Sequence, residues 1–114
     1  MYIQLGDQEP FVFAGLWDTW KKPDAAEDAK GAENQTYAII TCEPNDLMRS
    51  IHNRMPVILK PENYDQWLDP KNEDMYGLTK LLVPHSEKEM ATHPVSTLVN
   101  NPKFDDPWCI ETVK

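Results

Sequence analysis

Proline is the residue that most restricts this chain. Ten prolines stand against four glycines in 114 residues. Each proline fixes φ and removes a backbone donor, so it interrupts helices and ends or edges strands. The chain is therefore predicted to run as many extended segments with few long helices. Its length suits one domain or one part of a larger fold. A compact fold of this size would bury roughly two thirds of the surface its unfolded chain exposes.

The residues between the prolines predict an α+β chain of mostly antiparallel strands joined by short helices. "YIQL" (2–5) alternates and "GDQEP" turns. "FVFAGLW" (11–17) then runs apolar, so a hairpin with a largely buried second strand is expected. Residues 18–35 read as a solvated loop, with a helical turn over 25–32. "TYAIIT" (36–41) is a strand, and Asn45 is placed to cap a short helix through Ser50. "MPVIL" (55–59) is the next strand. Pro61 opens a helix over 61–68, with Tyr64, Trp67 and Leu68 on one face. A further helix over 73–83 ends at Pro84, and "SEKE" (86–89) has capping-box spacing. Strands are expected at 93–99 and 108–113, around a turn-rich "NNPKFDDP".

Nineteen acidic and eleven basic residues give a formal charge of −8. This opposes sequence-independent attraction to nucleic acid, so any DNA contact must be local. Cys42 and Cys109 suggest no disulfide framework and a reducing compartment. No apolar stretch is long enough for a signal or a span, so the reading is a cytoplasmic protein with no membrane partner. His85 and His93 lack a matching cysteine pair, and no metal or cofactor is expected. Most of the four tryptophans are assigned to the core, and both cysteines to buried positions.

The segment "SIHNRMPVIL" (50–59) holds the most chemistry. His52 can move protons near neutral pH, and Arg54 carries a permanent charge with a fork suited to phosphate. Both stand just before an apolar strand. By pattern alone, His52 either bonds backbone at a helix–strand junction or serves as acid or base. Arg54 either pairs with a carboxylate or takes a phosphate.

"PFVFAGLWDTW" (10–20), "YAIITCEPNDLMRSIHNRMPVIL" (37–59), "YDQWLDP" (64–70) and "HPVSTLVNNPKFDDPWCIE" (93–111) together resemble the SRAP domain. This is the family of SOS response-associated peptidases, or abasic-site processing proteins. The resemblance implies recognition of abasic sites in single-stranded DNA. It also implies a thiazolidine DNA–protein crosslink made by an N-terminal cysteine after auto-removal of the initiator Met. In these terms His52 matches the family's acid/base histidine and Arg54 its DNA-contacting arginine. Thr41 matches a threonine lining the same pocket.

Two family segments have no counterpart. The family starts Met-Cys-Gly-Arg, whereas this chain reads Met1, Tyr2, Ile3, and the Gly-Phe-Tyr-Glu-Trp segment is missing. Residues 1–114 are therefore expected to form a single unit, the C-terminal portion of an SRAP domain, inactive alone. Such a portion should leave apolar faces and strand edges uncovered. It would pair with a separate N-terminal half or self-associate. The competing expectation is a catalytically silent relative that keeps some DNA binding or serves as an oligomeric remnant.

Overall fold

A computed structural model describes residues 1–21 and 33–113. Among the described residues, eight short strands are β1 (Tyr2–Leu5), β2 (Val12–Phe13), β3 (Gly15–Lys21), β4 (Glu33–Ile39), β5 (Thr41–Cys42), β6 (Met55–Pro56), β7 (Ile58–Leu59) and β8 (Met90–His93). The α-helices among the described residues, α1 (Asp46–Arg49), α2 (Tyr64–Leu68) and α3 (Met75–Thr79), are each a turn or little more. The architecture is α+β, as the segment pattern predicts, and its helices are short, as the proline content predicts. Among the described residues, no helix is long and apolar enough to cross a membrane.

The strands form four antiparallel two-stranded ribbons: β1–β8, β2–β7, β3–β4 and β5–β6. Three of them meet at one junction. Ala14 lies between β2 and β3, Ile40 between β4 and β5, and Val57 between β6 and β7. The Ala14 N–H donates to the Val57 carbonyl at 2.8 Å, and the Val57 N–H to the Ile40 carbonyl at 2.9 Å. The Ile40 N–H closes the ring on the Ala14 carbonyl at 2.9 Å. Each long strand thereby changes partner at its middle residue without leaving a backbone group unpaired. Ala14 and Val57 are completely buried there, and Met55, Ile58, Leu59, Met48 and Cys42 complete the core around them.

The structure corrects several expectations from the pattern. β1 pairs with β8, in the register Tyr2↔His93 to Leu5↔Met90, rather than with the following segment. The apolar run 11–17 is not a buried strand: it breaks at Ala14, and Leu16 and Trp17 are largely exposed. Residues 18–21 and 33–35 belong to the β3–β4 hairpin rather than to a loop. The expected helical turn at 25–32 lies outside the described residues.

The segment 93–99 is strand only at His93. Ser96 then caps a 3₁₀ turn, Thr97–Asn100, by accepting from the Leu98 N–H. The expected closing strand at 108–113 is instead a 3₁₀ turn, Pro107–Ile110, opened by its proline. The capping box at 86–89 does not form, since Ser86 makes no side-chain cap. The 61–68 helix is a 3₁₀ turn leading into α2, in which Tyr64 and Trp67 pack on the core and Leu68 faces solvent. The 73–83 helix shortens to α3.

Candidate functional site

α1 and the junction between them set the position of residues 50–54. Asn45 opens α1 as its N-cap: Oδ1 accepts from the Met48 N–H at 2.9 Å. The helix ends at Ser50, and the N–H groups of Ile51 and His52 both return to the Met48 carbonyl at 2.8 Å. Three residues after His52 the chain enters β6, where Met55 is 1% exposed and pairs with Cys42. His52, Asn53 and Arg54 thus span a short, exposed link between a capped helix and a buried strand.

This link meets the start of β5. The Arg54 Nε donates to Thr41 Oγ1 at 3.2 Å. Its Nη2 donates to the Thr41 carbonyl at 2.9 Å and to Oγ1 at 3.1 Å. Among the described residues these bonds use Nε and Nη2, and Nη1 keeps its two N–H groups. The Arg54 main-chain N–H donates to His52 Nδ1 at 3.1 Å. The three residues singled out in the sequence, Thr41, His52 and Arg54, therefore stand together on one exposed rim.

The guanidinium sits close enough to be felt by its neighbours. Burial pushes the Cys42 thiol up from its ordinary value, with Glu43 adding to the rise and the Arg54 charge opposing it. Cys42 and Cys109 are both buried free thiols, as expected. Of the tryptophans, Trp17 and Trp20 are exposed and Trp67 and Trp108 half-buried, so the expectation that most of the four lie in the core does not hold.

A cleft of about 800 Å³ lies apart from this rim. Phe11, Lys60, Tyr64, His85 and Glu89 are among its lining residues, and none of the three rim residues is. His85 is buried there, with Nε2 2.8 Å from Glu89 Oε2. Its carbonyl accepts from Asn45 Nδ2 at 2.7 Å. The cap signal at Asn45 was readable in the sequence. Its second bond, to a residue forty positions away, left no local trace.

Comparison with known proteins gives consistent results. The family described as "SOS response associated peptidase (SRAP)" matches residues 1–102. The abasic site processing protein YoqW of Bacillus subtilis (strain 168) is 45% identical over 112 residues, 98% of this chain and 47% of that protein. YobE of the same organism, also an abasic site processing protein, is 43% identical over 104 residues, 91% of this chain and 45% of that protein. The abasic site processing protein HMCES of Xenopus tropicalis is 34% identical over 107 residues, 93% of this chain and 30% of that protein. A crystal structure of a protein from Bacteroides thetaiotaomicron superposes with a TM-score of 0.81 at 28% identity, covering 99% of this chain and 47% of that one. The chain spans about half the length of the Bacillus relatives it matches. It belongs to the SRAP family, and its curated relatives are abasic site processing proteins.

Proposed function

We propose that this chain is the C-terminal half of an abasic-site processing protein and that Thr41, His52 and Arg54 are its share of the DNA site. The observation that carries the reading is the Arg54 fork. Thr41 holds two of its nitrogens in place and leaves Nη1 free among the described residues to meet a backbone phosphate. His52, bonded to the same residue, is then the group beside the bound sugar that handles protons.

The chemistry that fits is aldehyde capture. An α-amine adds to the ring-opened sugar aldehyde and water leaves, giving an imine. A thiol on the same residue then adds to the imine carbon, and the nitrogen takes the proton, closing a thiazolidine. Cys42 and Cys109 are internal and carry no α-amine, so the nucleophile belongs to the other half of the domain. The same N-terminal cysteine would perform the peptidase step, releasing the Met before it.

Two assays with single-stranded oligonucleotide bearing one abasic site test this. Alone, the chain is expected to give a weak, salt-sensitive gel shift and no heat-stable band. Arg54→Ala should weaken the shift about tenfold and lower the salt slope by about one. With the unmatched half of YoqW added as a separate polypeptide, a heat-stable band is expected. His52→Ala should slow its formation roughly 10²-fold or more. A heat-stable band from the chain alone would overturn the account of the nucleophile. A shift indifferent to Arg54→Ala would overturn the DNA contact.

A further inference from the structure

We propose that the main-chain N–H of Arg54 holds His52 as the neutral Nε2–H tautomer, so that the ring meets its substrate as a hydrogen-bond donor. The inference rests on the reading of His52 as a site residue, and it deepens that reading by naming the atom and its state. An amide N–H can only donate. Its partner at 3.1 Å, Nδ1, must therefore offer a lone pair, and in a neutral imidazole the proton then resides on Nε2.

The arrangement is braced from both sides. The His52 backbone is tied to the Met48 carbonyl at 2.8 Å, and α1 is itself capped by Asn45. On the other side, Arg54 runs directly into the buried Met55 of β6. With both ends anchored, the main chain of residues 52–54 holds the His52 Cα and the Arg54 amide in a fixed relation.

This has a consequence for mechanism. The lone pair of the ring faces the protein, and the N–H faces outward. The ring can polarise a sugar or aldehyde oxygen by donating from Nε2, an electrophilic use of neutral histidine. His52 therefore faces its substrate as a donor, with its lone pair committed to the Arg54 amide. Arg54 then has two separable roles: a side chain that contacts phosphate and a main-chain amide that positions His52.

Imidazole nitrogen NMR on the ¹⁵N-labelled chain tests this without DNA. The expected spectrum has a protonated Nε2, an unprotonated Nδ1 and a scalar coupling across the hydrogen bond from the Arg54 amide nitrogen to Nδ1. Arg54→Ala keeps the amide, so it should keep the tautomer and the coupling while weakening the DNA shift about tenfold. Arg54→Pro removes the amide. It should abolish the coupling and reduce the Nε2–H to Nδ1–H ratio roughly two- to tenfold, the range one net hydrogen bond supports. A dominant Nδ1–H form, or no coupling in the parent chain, would overturn the proposal, whatever the folding of the proline variant. A weakened DNA shift in Arg54→Ala with the wrong tautomer would sink this inference and leave the proposed function standing.

Discussion

Asn45 uses both ends of its amide. Oδ1 caps α1 through the Met48 N–H, while Nδ2 reaches the His85 carbonyl at 2.7 Å in a site where Asn45 itself is 6% exposed. A cap alone is worth about 1 kcal/mol. A buried carbonyl left without its donor costs a further ~1–3 kcal/mol. Asn45→Ala is therefore expected to lower stability by about 2–4 kcal/mol, read as a reduced urea midpoint at unchanged slope. Asn45→Asp separates the two roles. It keeps the capping oxygen but turns a carboxylate toward the His85 carbonyl, and it should be at least as damaging as alanine. If aspartate restores the parent midpoint, the tie to His85 contributes nothing. Because α1 leads directly to His52, the loosened cap should also broaden the His52 ring signals.

Among the elements, what could be read from the sequence depended on whether the cause was local. Proline density marked short elements, Asn45 marked a helix start, and Met55 to Leu59 marked a core strand. Each of these signals lies within a few residues of its effect. The partner exchange at Ala14, Ile40 and Val57 is different. It depends on three segments meeting in space, and nothing around Ala14 distinguishes it from its apolar neighbours. The pairing of β1 with β8 was hidden for the same reason. Of the site, residue types and order were legible, whereas the clasp of Arg54 on Thr41 spans thirteen positions and required the junction.

The junction can be probed at Ala14, which is 0% exposed where the ring of three hydrogen bonds closes. Ala14→Leu adds volume with no space to receive it and should cost about 1–3 kcal/mol. Since β5 and β6 both leave this junction, the same change should weaken DNA retention by parting Thr41 from Arg54. Ala14→Gly removes little volume and serves as the control. A leucine variant with the parent's urea midpoint would mean that the three strands are not tightly joined there.

At the scale of the whole molecule, the chain is open for its length. Its radius of gyration is 18.4 Å, against about 13 Å for a compact chain of this size. The β3–β4 hairpin carries exposed large hydrophobics at Leu16, Trp17, Trp20, Tyr37 and Ile39. In its register Trp17 faces Tyr37 and Leu16 faces Ala38, so each face of the ribbon carries apolar side chains. Trp17 is 71% exposed and Tyr37 is 80% exposed, an aromatic pair that a self-sufficient fold would cover. Together with relatives about twice its length, this supports the proposal that the hairpin receives the N-terminal half of the domain. The isolated chain is then expected to bind ANS and to sediment above monomer mass as copies cover one another's hairpins. Adding the unmatched half of YoqW should suppress both effects in favour of a one-to-one complex. The double change Trp17→Lys with Tyr37→Lys should reduce self-association and weaken that complex. It should leave the urea midpoint near the parent value, because neither side chain belongs to the buried cluster around Ala14 and Val57. A monodisperse monomer that binds no ANS would show that the exposed hairpin needs no cover, and the half-domain proposal would fall with it.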